Sequence, residues 1–81
     1  MSRTIRIEFC ASLRDQAGTA TATIESTAAT CGDLYCELRE RYGFVLPTNL
    51  VKFGIGNAIC GAETALEGVE AVVLIPPVCG G

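Results

Sequence analysis

The apolar residues of this chain switch period several times, and each switch marks an element. Ile5, Ile7 and Phe9 alternate with Arg6 and Glu8, the two-residue period of a strand with one buried face. The stretch Ala11 to Ala17 reads as a short helical turn that Gly18 can stop by turning left-handed. From Thr19 to Ser26 the alternation returns, with Ala20, Ala22 and Ile24 on one face and threonines on the other. Threonine suits the solvent-facing side of a pleat.

A helical period follows. Thr30 is placed as an N-cap, and Asp33 can reach back to it in the manner of a capping box. Leu34, Leu38 and Tyr42 then form a stripe flanked by Cys31 and Tyr35, while Glu37, Arg39, Glu40 and Arg41 face water. Gly43 closes the helix and Pro47 keeps it closed. A helix with one apolar face must lie on a sheet.

Val51, Phe53 and Ile55 restore the two-residue alternation, Gly56-Asn57 makes a turn, and Ala58 to Cys60 forms a short edge segment. Leu66 plugs the space under a loop turned at Gly68. The run Ala71 to Ile75 is continuously apolar, which predicts a central strand covered on both faces. Pro76 and Pro77 end it by removing two backbone donors. Strand, strand, helix, strand, short strand, buried strand describes a mixed α+β sheet under one main helix. Among small folds the β-grasp fits best. The domain spans residues 1–77, and residues 78–81 are expected as a flexible C-terminal tail.

Composition narrows the function. The 81 residues leave no room for a second core. Six Lys+Arg against nine Asp+Glu give a net charge of -3, so no basic face is available for nucleic acid. The alternating N-terminus argues against a signal peptide, and Ala71 to Val78 is too short to span a bilayer. A soluble cytoplasmic protein is expected. The five cysteines are an odd number without paired Cys-x-x-Cys spacing, and the chain has no histidine. They read as reduced thiols, with no metal site and no base for a thiol enzyme.

The end of the chain carries the chemistry. Pro76-Pro77 makes an extended stem that cannot rejoin the sheet ladder. Val78, Cys79, Gly80 and Gly81 follow, and Gly-Gly can thread a narrow channel because it has no side chains. The terminal carboxylate is the group presented.

Ile75-Pro76-Pro77-Val78-Cys79-Gly80-Gly81 resembles the C-terminal signature of the small subunit of molybdopterin synthase. Phe9-Cys10-Ala11-Ser12-Leu13-Arg14-Asp15-Gln16-Ala17-Gly18 is similar to that family's N-terminal aromatic-aromatic-Ala-x-Leu-Arg-Glu-x-x-Gly stretch. Asn57 and Glu63-Thr64-Ala65-Leu66 match its Asn turn and Asp-Thr-x-Leu stretch. Departures are Cys10 in place of an aromatic, Gly68-Val69-Glu70 in place of Gly-Asp-Glu, and Cys79 in place of a small or hydroxyl residue.

The resemblance implies a ubiquitin-like sulfur carrier. A ubiquitin-activating-like adenylyltransferase would use ATP to adenylate Gly81, and a sulfur donor protein would convert the adenylate to a thiocarboxylate. The tail, Val78 to Gly81, would thread the active site of the molybdopterin synthase large subunit and give sulfur to a cyclic pterin phosphate precursor. Phe9, Ile75, Pro76 and Pro77 would meet that subunit. The chain itself would bind no cofactor. Two alternatives share the tail chemistry up to the adenylate: a thiamine-pathway sulfur carrier and a ubiquitin-like protein modifier.

Overall fold

The computed structural model describes residues 2–77; the expectations for residues 78–81 lie outside them. Strand β1 (Arg3–Phe9) is followed by helix α1 (Ala11–Ala17), strand β2 (Thr21–Ser26) and helix α2 (Cys31–Tyr42). A 3-10 turn at Thr48–Leu50 leads to β3 (Lys52–Ile55), β4 (Ala58–Cys60) and β5 (Ala71–Ile75). The five strands form one mixed sheet in the order β2-β1-β5-β3-β4. β1 and β5 run parallel, and the other pairs are antiparallel. This is the β-grasp arrangement that the pattern predicts.

The period-2 positions do what they should. Ile5, Ile7, Phe9, Ile24, Phe53, Val72 and Leu74 are buried, and α2 answers them with Cys31, Leu34, Tyr35 and Leu38. Thr30 caps α2 by accepting from the Asp33 amide at 3.2 Å. No return bond from Asp33 to the Thr30 amide is formed, so the cap is half of a box. Gly43 ends α2 at φ 73°, its amide donating to the Arg39 carbonyl. Gly18 ends α1 in the same way at φ 77°. Leu66 is fully buried beneath the loop, as expected of a plug.

The aromatics form one connected group. Phe9 packs edge-on against Tyr42 and Phe44, Tyr35 stacks on Phe44, and Tyr35 meets Phe53 edge to face. Such pairs add about 0.5–1.5 kcal/mol each beyond their buried area. The Tyr35 hydroxyl donates to the Leu46 carbonyl at 2.8 Å. That bond ties the loop after α2 to the core.

Two expectations need correction. Ala20 is exposed ahead of β2, which starts at Thr21. More consequentially, β5 is central but covered on one face. Val72 and Leu74 are fully buried under the helices, whereas Ala71, Val73 and Ile75 are only half-buried on the opposite face. The strand is continuously apolar for two reasons rather than one. One parity fills the core, and the other forms an apolar outer surface.

Candidate functional site

That outer surface leads into the tail. The register sets Gly54 against Val73 and Lys52 against Ile75 across the β3–β5 pair, and Ile59 against Gly54 across β3–β4. Directly opposed residues project to the same face, so Val73, Ile75, Gly54 and Ile59 lie together. A Cβ at Gly54 would stand 3.3 Å from the Val73 Cβ and 3.6 Å from the Ile75 Cδ1. Those two side chains therefore flank a depression that only glycine leaves open. Ile59 is 71% exposed on the far side of it.

Charge rims the patch. Glu8 opposes Val73 and Arg6 opposes Ala71 across β1–β5, and exposed Lys52 pairs with Ile75 at the end where the chain leaves the sheet. An apolar centre with a charged rim is the usual anatomy of a protein-binding surface. Ile75 and the half-buried Pro76 belong to it, and Pro77 is exposed. The patch and the stem are continuous.

Phe9 was expected with them and lies elsewhere. Its ring is 4% exposed on the helix side of the sheet, packed against Tyr42 and Phe44. Phe9 has the parity of Ile5 and Ile7, and its ring fills the core. Val78, Cys79, Gly80 and Gly81 lie outside the described residues. Sequence reasoning overlooked Val73, Gly54, Ile59 and Lys52 as neighbours of Ile75. Strand register brings them together, and only the apolar odd positions of β5 hinted at it.

Among the described residues, no three His, Cys, Asp or Glu side chains converge as a metal centre would need. No described helix is long and apolar enough to cross a membrane. A groove of about 470 Å³ lies at the β3–β4 edge, lined in part by Thr48, Lys52, Cys60 and Glu63. The described part of the chain thus presents an apolar outer patch that runs into Pro76-Pro77.

A sheet of this order, with its last strand running into Pro76-Pro77, defines a ubiquitin-like β-grasp domain. Residues 7–81 match the ThiS family model, and the chain belongs to the ThiS family of ubiquitin-like sulfur carriers. No curated protein sequence matches it. Solved structures resemble it at the level of the fold. Small archaeal modifier protein 1 from Methanosarcina acetivorans superposes with a TM-score of 0.76 at 19% identity, over 100% of this chain and 99% of that one. The Haloferax volcanii protein of the same name gives 0.75 at 20% identity, over 98% and 100%. A Pyrococcus furiosus protein described as molybdopterin converting factor subunit 1 gives 0.69 at 19% identity, over 93% and 98%.

Proposed function

We propose that this chain carries sulfur as a thiocarboxylate on Gly81 and delivers it to molybdopterin synthase. The observation that carries the reading is the junction at residue 75. There a central strand, an apolar outer patch and Pro76-Pro77 meet immediately before Val78-Cys79-Gly80-Gly81. The large subunit would seat the patch, and the tail would reach its active site. A carboxylate is a poor electrophile until its oxygen becomes a good leaving group, so an adenylyltransferase spending ATP must act first. The sulfur of the resulting thiocarboxylate is a soft anionic nucleophile at neutral pH, much as an activated thiolate is. Cys79 serves as a small spacer in this scheme.

The likeness to two small archaeal modifier proteins supports a second reading, in which the Gly81 adenylate is passed to lysine amines of other proteins. The family match equally accommodates sulfur delivery for thiamine synthesis. Intact mass after incubation with an activating enzyme, ATP and a sulfur donor separates these. A carrier gains the mass of one sulfur replacing one oxygen, on the fragment containing Gly81. A modifier yields isopeptide-linked products instead. A chain extended by one residue beyond Gly81 should gain nothing, because its former terminus is an ordinary amide. Sulfur mapping to a cysteine would overturn the carrier mechanism. Adding the large subunit and the pterin precursor to the thiocarboxylate form then tests the molybdopterin assignment.

A further inference from the structure

The site above uses the outer face of the sheet and the tail, and it leaves the thiols of the helix side unassigned. Two of them stand on segments that are hydrogen-bonded to each other. Cys31 opens α2 and is fully buried. Cys60 closes β4, in register with Phe53, whose ring is fully buried in the core. Opposed residues share a face, so Cys60 projects to the helix side while its neighbour Ile59 projects outward.

The backbone after Cys60 then laces itself to the start of α2. The Gly32 amide donates to the Ala62 carbonyl at 2.8 Å, and the Cys31 amide donates to the Thr64 carbonyl at 2.9 Å. A Cβ at Gly32 would meet the Ala62 Cβ at 3.0 Å, so no side chain fits between the two segments. Burial first, then the charges of Cys60 and Glu63, push the Cys31 thiol up to about 11.

The two differ in access. Cys60 is half-buried and lines the open groove at the β3–β4 edge, whereas Cys31 sits beneath the surface. An accessible thiol backed by a buried one is the arrangement in which the first is oxidised and the second resolves it. We propose that Cys60 and Cys31 form a redox thiol pair that a hydroperoxide converts to an intramolecular disulfide. The Cys60 thiolate attacks hydrogen peroxide, giving the sulfenic acid and hydroxide. The Cys31 sulfur then attacks the Cys60 sulfur and displaces hydroxide, while its own proton goes to water. Two thiols and one peroxide become one disulfide and two waters. The product fastens β4 to α2 beside the outer patch.

The other described thiols are badly placed for this. Cys36 is exposed further along α2, its Sγ 3.8 Å from the Thr48 Oγ1. Cys10 follows Phe9, and the registers Phe9–Leu74, Leu74–Phe53 and Phe53–Cys60 separate Phe9 from Cys60 by three strand spacings, about 14 Å.

The test uses the full-length chain carrying Cys36→Ser and Cys79→Ser, in which trypsin cuts after Arg14, Arg39 and Lys52 and leaves Cys31 and Cys60 on separate peptides. Stoichiometric hydrogen peroxide should lower the monomer mass by about 2 Da and yield one linked peptide pair, Cys31 with Cys60. Dimedone, which captures sulfenic acids, should label Cys60 several-fold more in a further Cys31→Ser variant than in its parent. The proposal fails if Cys60 labels equally in both, if Cys10 replaces either partner, or if the products are only intermolecular dimers. Folding of each variant is checked by circular dichroism, and the unsubstituted chain must show the same mass loss.

Discussion

The two faces of the sheet pass through the same strand and obey different rules. On the helix side, Val72 and Leu74 are fully buried among Ile5, Ile7 and Phe53. On the other side, Val73 and Ile75 are equally apolar yet only half-buried, beside a glycine depression and an exposed isoleucine. Hydrophobicity alone does not separate them, but parity does. The inner residues specify the fold. Outer residues of the same type contribute little to stability, and their exposure needs another explanation.

The largest expected effect tests that division directly. Leu74→Ala should cost about 3 kcal/mol of folding stability, as a fully buried leucine does when it leaves a cavity. Val73→Ala, one residue away, should cost less than about 1 kcal/mol. Urea denaturation of the two variants reads the difference, and equal losses would dissolve the distinction between the faces.

The second prediction concerns the inner face at alkaline pH. Burial raises the Cys31 thiol from 9.0 to about 11, so the native state holds its proton more tightly than the unfolded chain. That contribution is complete below pH 9 and is lost as pH rises through 11. The total is roughly 2–3 kcal/mol at 1.36 kcal/mol per pKa unit. Unfolding midpoints measured between pH 8 and 11 should fall less steeply in Cys31→Ala than in the parent chain. Parallel curves would mean that the thiol is not desolvated.

On the outer face, if the proposed docking holds, Ile75→Asp should weaken binding to a molybdopterin synthase large subunit by about 2 kcal/mol, as loss of an interface anchor does. Its fold should survive by circular dichroism. A folded variant that binds with unchanged affinity in calorimetry would remove Ile75 from the interface.

The smallest effect lies at the start of α1. Ala11 starts α1 at φ 50°, a left-handed conformation that an alanine adopts under strain. Ala11→Gly should relieve it and raise stability by about 0.5 kcal/mol, visible as a small upward shift in the urea midpoint.

How much of this was legible in the sequence follows from the range of each signal. Local periodicity placed Ile5, Ile7, Leu34, Leu38 and Phe53 in the core, and the glycines at 18 and 43 ended the helices where they should. Each of those inferences needs only neighbours within a turn or a pleat. Register is a long-range property, so the assembly of Val73, Gly54, Ile59 and Ile75 could not be read from any one segment. The same limit explains Phe9. Its parity announced burial, while its motif suggested an interface, and the ring went where parity sent it. The meeting of all five aromatics and the approach of Cys60 to Cys31 depend on α2 crossing the sheet, which no spacing encodes. The tail was legible only as a motif, since Gly-Gly has no side chain with which to announce a chemistry.

The parallel pairing of β1 with β5 has a consequence for how the molecule is made. Those two central strands come from opposite ends of the domain, with every other element between them. The middle of the sheet therefore closes last in synthesis, and long-range closure is also the slow step in folding. A polypeptide interrupted between β4 and residue 71 has two strand pairs and no central strand to join them, so it remains a substrate for proteases. Translation must run to the final strand before anything stable exists to be recognised. The architecture thus acts as a proofreader, admitting to the folded pool only chains that have been read through to the threshold of the tail.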